Sequence, residues 1–298
     1  MRLAEFINDR VLAPFDVRVT RASGWRHTQK LRALAASTVA RERIMKLGSL
    51  LAPQQAVGKS KVRLGSKYDG GYICLDDFCG IATAFSLGIG KSDEWEIEVA
   101  ERGIVVHQFD HSIDSPPHVH PNCHFHRKRI VPRHDGTSEV ETIAHLVEQN
   151  ARGGDSSLIL KIDIENDEWQ VFAETTRGHL ARFSQIICEF HFFSAVTEDV
   201  WYQCALHVLE KLNRDFAVVH VHGNNVAPWA NVGSVPFPEL LEVTYASRKR
   251  YKFEPSQEVF PTCLDAPNDA TTPDMFLGRF VFQSVGAPSS ALEPVHED

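Results

Sequence analysis

Leu158 to Trp169 reads L-I-L-K-I-D-I-E-N-D-E-W: a short run of β-formers delivers Asp163 and Glu165, and a polar turn then opens a helix. Ser184–His191 (S-Q-I-I-C-E-F-H) and Phe216–Asn225 (F-A-V-V-H-V-H-G-N-N) repeat the pattern. Each is an apolar strand ending in groups that bind metal, take a proton or hold a hydroxyl. Strands alternating with helical segments build a mainly parallel α/β sheet. In such a sheet ligands sit at the carboxyl ends of the strands, so acids placed there face chemistry. Three successive strands ending this way point to an enzyme.

The rest of the chain fits the same frame. Core strands are expected at Ile81–Ser86, Ile104–Phe109, His124–Ile130, Leu158–Ile164, Gln185–Phe190, Phe216–Val221 and Leu240–Tyr245. Helices are expected at Asp93–Arg102, Glu139–Asn150 and Thr197–Leu212, the last N-capped by Thr197. Ahead of the sheet, Leu3, Phe6, Ile7, Val11 and Leu12 follow helical spacing up to Pro14, and a second helix is expected over Thr28–Leu51. Asp69-Gly70-Gly71-Tyr72 is a turn feeding a short strand. The domain reading is an N-terminal helical extension over 1–58, an α/β domain over 59–285 and a disordered tail over 286–298.

Charge narrows the partners. The first 50 residues carry ten Lys/Arg against four Asp/Glu, leaving −14 on the remainder of a chain whose net charge is −8. An acidic body argues against nucleic acid, whose phosphates need a basic face. The basic N-terminus suits an anionic membrane surface or a protein partner, or is a solvated basic helix pair. No apolar run approaches the ~18 residues of a membrane span. Six scattered cysteines with no C-x-x-C pair suit a reducing cytoplasm.

Ser86-Leu87-Gly88-Ile89-Gly90 follows the first core strand and precedes a helix. Glycines there admit a ligand close to the backbone, and the helix start offers free N–H donors. Asp110 ends the next strand 20 residues after Gly90, a spacing that suits a carboxylate on ribose hydroxyls. The following K-S-D-E-W-E lacks the third glycine of a dinucleotide site, and Asp93, Glu94 and Glu96 would repel a pyrophosphate. A cationic sulfonium tolerates them, which favours S-adenosylmethionine (SAM) over NAD and leaves a nucleotide-cofactor dehydrogenase as the minor alternative.

The sequence resembles the FkbM-type SAM-dependent O-methyltransferases and their methyltransferase-like relatives. The matching segments are Y-D-G-G-Y (68–72), S-L-G-I-G (86–90), F-D-H-S (109–112), L-K-I-D-I-E-N-D-E-W (160–169), E-F-H (189–191), H-V-H-G-N-N (220–225), L-E-V-T-Y (241–245) and P-T-C-L-D-A-P-N (261–268). The resemblance implies a Rossmann-like class I methyltransferase fold, with seven strands, the last antiparallel, and helices on both faces. It also implies O-methylation of a sugar or sugar-bearing acceptor. One departure is Asn166, where relatives often carry glycine; asparagine tolerates a left-handed backbone. The cofactor set assigned on this reading is Asp69, Ser86, Gly88, Gly90, Asp110 and Asp163.

His118, His120, Cys123, His124 and His126 look like a zinc cluster, but Pro121 interrupts them and their spacing matches no known site, so a surface loop is expected. Asp163, Glu189, His191 and His222 are instead expected to converge at one end of the sheet as the catalytic set. Either a histidine base removes the acceptor proton, or Asp163, Glu189 and His222 hold a divalent cation such as Mg²⁺ that acidifies the hydroxyl. A non-catalytic scaffold in a glycan-assembly complex would need none of these groups.

Overall fold

The structure is a computed structural model that describes residues 23–150 and 157–282. The helix expected around Leu3–Leu12 and the tail expected over 286–298 lie outside the described residues. The central sheet has seven strands: β1 (Thr83–Leu87), β2 (Val105–Phe109), β3 (Cys123–His126), β4 (Leu158–Ile162), β5 (Phe183–His191), β6 (Phe216–Gly223) and β7 (Leu240–Ser247). Their order across the sheet is β6-β7-β5-β4-β1-β2-β3. All neighbours pair in parallel except β7, which is antiparallel to both β5 and β6. This is the arrangement that the methyltransferase resemblance implies. The strand order reverses between β1 and β4, and that switch point opens a crevice at their carboxyl ends.

The helices are α1 (Ser23–Ala36), α2 (Thr38–Leu50), α3 (Glu94–Glu101), α4 (Ile143–Asn150), α5 (Glu168–Glu174), α6 (Arg177–Leu180) and α7 (Asp199–Asp215), with a 3₁₀ turn at Phe193–Thr197. Because side chains alternate along a strand, the buried residues sort into two cores. Phe85, Leu160, Ile162, Ile186, Cys188 and Phe190 pack with α2, α4, α5 and α7, whereas Ala84, Ile159 and Ile187 pack with Trp95, Val99 and Ala100 of α3. The second face is also covered by a hairpin, Lys61–Gly65 paired with Gly71–Leu75. Gln185 stitches that hairpin to the sheet, accepting from Leu75 N at 2.7 Å and donating to Leu75 O at 3.1 Å.

Several expected boundaries moved. Instead of one helix over Thr28–Leu51 there are two, because Ser37 leaves the helix and caps α2 through its Oγ, 3.1 Å from Ala40 N. Thr197 belongs to the 3₁₀ turn and does not cap α7, which starts at Asp199. The expected third strand ends at His126, and Arg129–Ile130 pairs separately with Val140–Glu141, so α4 begins only at Ile143. The boundary at 58 does not separate two packing units. Ala40, Ile44, Leu47 and Leu51 are buried in the main core, and Gln54–Ala56 pairs with Phe253–Pro255. A fully buried aliphatic side chain stabilises by about 1.5–3 kcal/mol, so a chain begun at Ala56 would lose a substantial part of its core. Among the described residues no helix is long and apolar enough to cross a membrane.

Candidate functional site

The glycine loop leaves β1 at Gly88, whose backbone is left-handed at φ +81°. Gly88 N donates to Phe109 O at 2.8 Å, and Asp163 N donates to Leu87 O at 2.9 Å, so the loop is clamped between β2 and the end of β4. Beneath it, the buried Lys161 Nζ donates to Gly88 O at 2.9 Å and pairs with Glu96 Oε1 at 3.0 Å. Ser86 donates its hydroxyl to the same Glu96 and is fully buried, so it belongs to this internal support and not to a cofactor surface.

Asp110 also works on the loop. Its Oδ2 accepts from Ile89 N at 3.1 Å and Gly90 N at 2.9 Å, while its Oδ1 accepts from Ser112 N and Oγ, both at 2.7 Å. Burial alone would raise its pKa, but the bonds from Ser112, Gly90 and Ile89 outweigh it and hold the carboxyl below the ordinary value. Its loop-holding contribution is therefore complete above the ordinary Asp pKa near 3.9 and is lost only as pH falls through the lower folded value. Amide exchange at Ile89 and Gly90 is expected to stay protected at about pH 4 in the wild type and to lose protection in Asp110→Ala. Equal protection in both would remove Asp110 from the loop.

Two adjoining cavities open above this loop and share Gly88, Asp110, Ser112, Asp163 and Glu165. The first, about 130 Å³, is walled by Phe109, His111, Lys128, Arg129, Ile130 and Ile164. The second, about 250 Å³, is walled by Asp69, Gly70, Tyr72, Ile89–Ser92 and Lys161.

At the far side stands an acid-rich cluster. Tyr72 donates its hydroxyl to Asp163 Oδ2 at 2.9 Å. Burial raises Asp163 to about 6, with Lys161 and His191 pulling the other way. His191 lies at the end of β5 and is 4% exposed. Its Nε2 is 3.7 Å from Glu165, 3.9 Å from Glu189 and 4.0 Å from Asp163, and its Nδ1 is 3.4 Å from Glu168. Burial works against a charged imidazole here, yet Glu168, Asp163 and Glu165 raise the His191 pKa. Glu189 is pushed well up by burial and by Asp163 and Glu242. The turn that carries Glu165 and Asn166 is left-handed at both, with φ +57° and +88°.

His222 does not join this cluster. It sits in a cross-strand row, Glu189–Glu242–His222, set by the β5–β7 and β7–β6 registers. Its Nδ1 lies 3.0 Å from Glu242 Oε2 and its Nε2 3.0 Å from Asp274 Oδ1. Burial disfavours the charge, but Glu242 and Asp274 overcome it and raise His222 to about 10. An imidazolium donating from both nitrogens has no lone pair for a metal or a proton. The cation set Asp163, Glu189 and His222 is accordingly not assembled; among the described residues, the acids and histidines whose ligand atoms lie within 4.8 Å of one another are Asp163, Glu165 and His191, and separately His134, Glu141 and His145. His222 instead ties down the closing segment, as does His220, 2.8 Å from Asp265 Oδ1. Asn268 continues the strap, donating to Glu242 Oε1 at 2.7 Å and Asp69 Oδ1 at 3.1 Å.

The residues that sequence reasoning passed over are Tyr72, Lys161, Glu168, Glu242 and Asp274. For Lys161 and Glu242 a signal existed, a charge inside an otherwise apolar strand, which is rarely buried without a partner. The histidines of the 118–126 stretch do not form a metal set. His118 Nδ1 pairs with Asp93 at 2.6 Å, and His126 Nε2 meets His107 Nδ1 at 3.2 Å on β2.

No protein-family model matches the sequence. The chain is similar to a human protein described as probable methyltransferase-like protein 24, with 30% identity over 142 residues. That match covers 40% of this chain and 37% of the relative, so the chain spans little more than a third of the relative's length.

Proposed function

We propose that this protein is a SAM-dependent O-methyltransferase that acts on a hydroxyl of a sugar or glycosylated acceptor. The observation that carries the reading is the continuity of the groove: the Gly88–Gly90 loop with Asp110 and the Asp163/Glu165 turn line the same two cavities. The donor set suits SAM. Phe109, Ile130 and Ile164 give an apolar wall for a purine, and Asp69, Asp163 and Glu165 give anionic walls for an ammonium and a sulfonium. Bound SAM supplies a methyl group on a positively charged sulfur. The likeness to a methyltransferase-like protein and the seven-strand order support the same class.

Asp110 and Lys161 keep the loop in the shape that receives the nucleoside. The cluster around His191 handles the acceptor, because carboxylates and an imidazole can hold neighbouring hydroxyls and take one proton. Several acids around a small polar space suit a polyol better than an apolar acceptor. We also infer a cytoplasmic setting, supported by six unpaired cysteines.

The test is methyl transfer from labelled SAM to a panel of sugars and glycans. Removing a group that accepts or activates the acceptor proton costs about 10²–10⁴-fold in rate, so His191→Ala is expected to lower turnover at least about 100-fold. SAM affinity should stay within a few-fold. SAM binding with no transfer to any acceptor would favour a methyltransferase-like scaffold. Binding of a nicotinamide dinucleotide in place of SAM would favour a dehydrogenase.

A further inference from the structure

The geometry points to a divalent-cation site, of the Mg²⁺ or Mn²⁺ class, formed by Asp163 Oδ1, Glu165 Oε2 and His191 Nε2, with Glu189 Oε1 at its edge. This rests on the methyl-transfer reading for the use of the ion, not for its binding.

The first observation is what His191 lacks. It is 4% exposed, yet its buried Nδ1 has no hydrogen-bond partner, although Glu168 stands behind it and carboxylates surround the other nitrogen. Nε2 has three carboxylate oxygens at 3.7–4.0 Å, beyond hydrogen-bond range. Ligands about 2.1–2.5 Å from an ion stand roughly 3.0–3.6 Å apart across a right angle. The oxygens and nitrogen therefore surround a space that an ion would fill after a small contraction.

The second observation is Glu168. It is fully buried, its Oε1 is fixed by Ile164 N at 2.7 Å, and its Oε2 faces His191 Nδ1 at 3.4 Å without another partner. A buried carboxylate behind a histidine keeps the proton on the rear nitrogen and turns the front lone pair toward a metal. Glu168 occupies that rear position, and Nε2 faces the acids. Two carboxylates with one imidazole suit a hard-to-borderline divalent ion. Held there, the ion would bind the acceptor oxygen and lower the pKa of its proton, which passes to a neighbouring carboxylate or to water.

The experiment titrates the full chain with Mn²⁺ alone and follows loss of the free-ion EPR signal, with thermal melts confirming that each variant folds. Wild-type protein is expected to take up Mn²⁺ at this site. Glu165→Gln, a change at a 91% exposed side chain, should weaken that uptake at least about tenfold. Glu168→Gln should weaken it by about 10–100-fold, as for other groups that orient a metal ligand. His145→Ala, in the other His/Glu group, should leave it unchanged. No uptake by folded protein at millimolar Mn²⁺, unchanged uptake in Glu165→Gln, or loss confined to His145→Ala would each overturn the site. Calorimetric SAM binding, run without metal, is a separate readout. Its failure would undermine the methyltransferase reading and leave the cation site standing.

Discussion

Replacing Gly88 by alanine is expected to disrupt the nucleoside loop and to destabilise the protein measurably. A Cβ on Gly88 would lie 1.7 Å from the Asp163 carbonyl oxygen, a contact with backbone that no rotamer relieves. The left-handed φ of +81° adds about 1–2 kcal/mol for any side chain, and overpacking typically adds about 1–3 kcal/mol more. The clash lies between β1 and β4, so relief requires the Leu87–Asp163 bond or the Lys161 support to open. Gly90→Ala provides the contrast: its φ is +52° but nothing lies within 4 Å of its Cβ, so only the backbone cost applies. Denaturant melts and SAM titrations of both variants check this. Similar losses in the two would show that the approach to Asp163 is unimportant.

His222→Ala is expected to cost about 3–5 kcal/mol, the usual result of removing one partner from a buried ion pair. The substitution leaves the 6% exposed Glu242 with the neutral Asn268 amide but without its charged partner, and releases Asp274 from the ring. The pH dependence has a definite sign. The folded pKa of about 10 lies above the unfolded value near 6.5, so the stabilisation is complete below pH 6.5 and fades as pH rises toward 10. Wild-type stability should therefore fall across that window, and His222→Ala should fall much less. A loss under about 1 kcal/mol at neutral pH, or parallel pH profiles, would mean that the strap is not held by this charge. Denaturant melts from pH 6 to 10 make the comparison. The same variant separates strap from chemistry: with residual folded protein, SAM affinity should drop only modestly.

Much of the architecture was readable from local pattern. All seven strands of the central sheet were expected within a few residues of where they lie, because uninterrupted β-formers bounded by turn residues are a short-range signal. The glycine after β1, the acid after β2 and Asp163 after β4 were readable for the same reason: each sits at a strand end whose position the pattern fixes. Asn166 also takes the left-handed backbone that its residue type suggested, although Glu165 beside it does so without any such hint. The hairpin Lys61–Gly65/Gly71–Leu75 was half seen, through its turn and second strand. The hairpin Trp229–Val232/Val235–Pro238 gives little local signal, because both strands are short and the second carries Pro236 and Pro238.

The division inside the site could not be read from sequence. Glu189, His191, Glu242 and His222 all point from strands toward the same face, and residue type cannot say which carboxylate meets which imidazole. Only the β5–β7–β6 register puts Glu242 between Glu189 and His222, and only the return of residues 262–275 over the sheet brings Asp274 to the other ring nitrogen. His191 has no such partner brought to it: its Nδ1 is without a hydrogen bond, and the carboxylates around its Nε2 stand 3.7–4.0 Å away. The sequence by itself determined the sheet, the loop and the strand ends, because those depend on periodicity over a few residues. Tertiary structure decided which histidine is a strap and which faces the groove, because pairing between segments some 50 residues apart, as for His222 and Asp274, is a matter of register and packing.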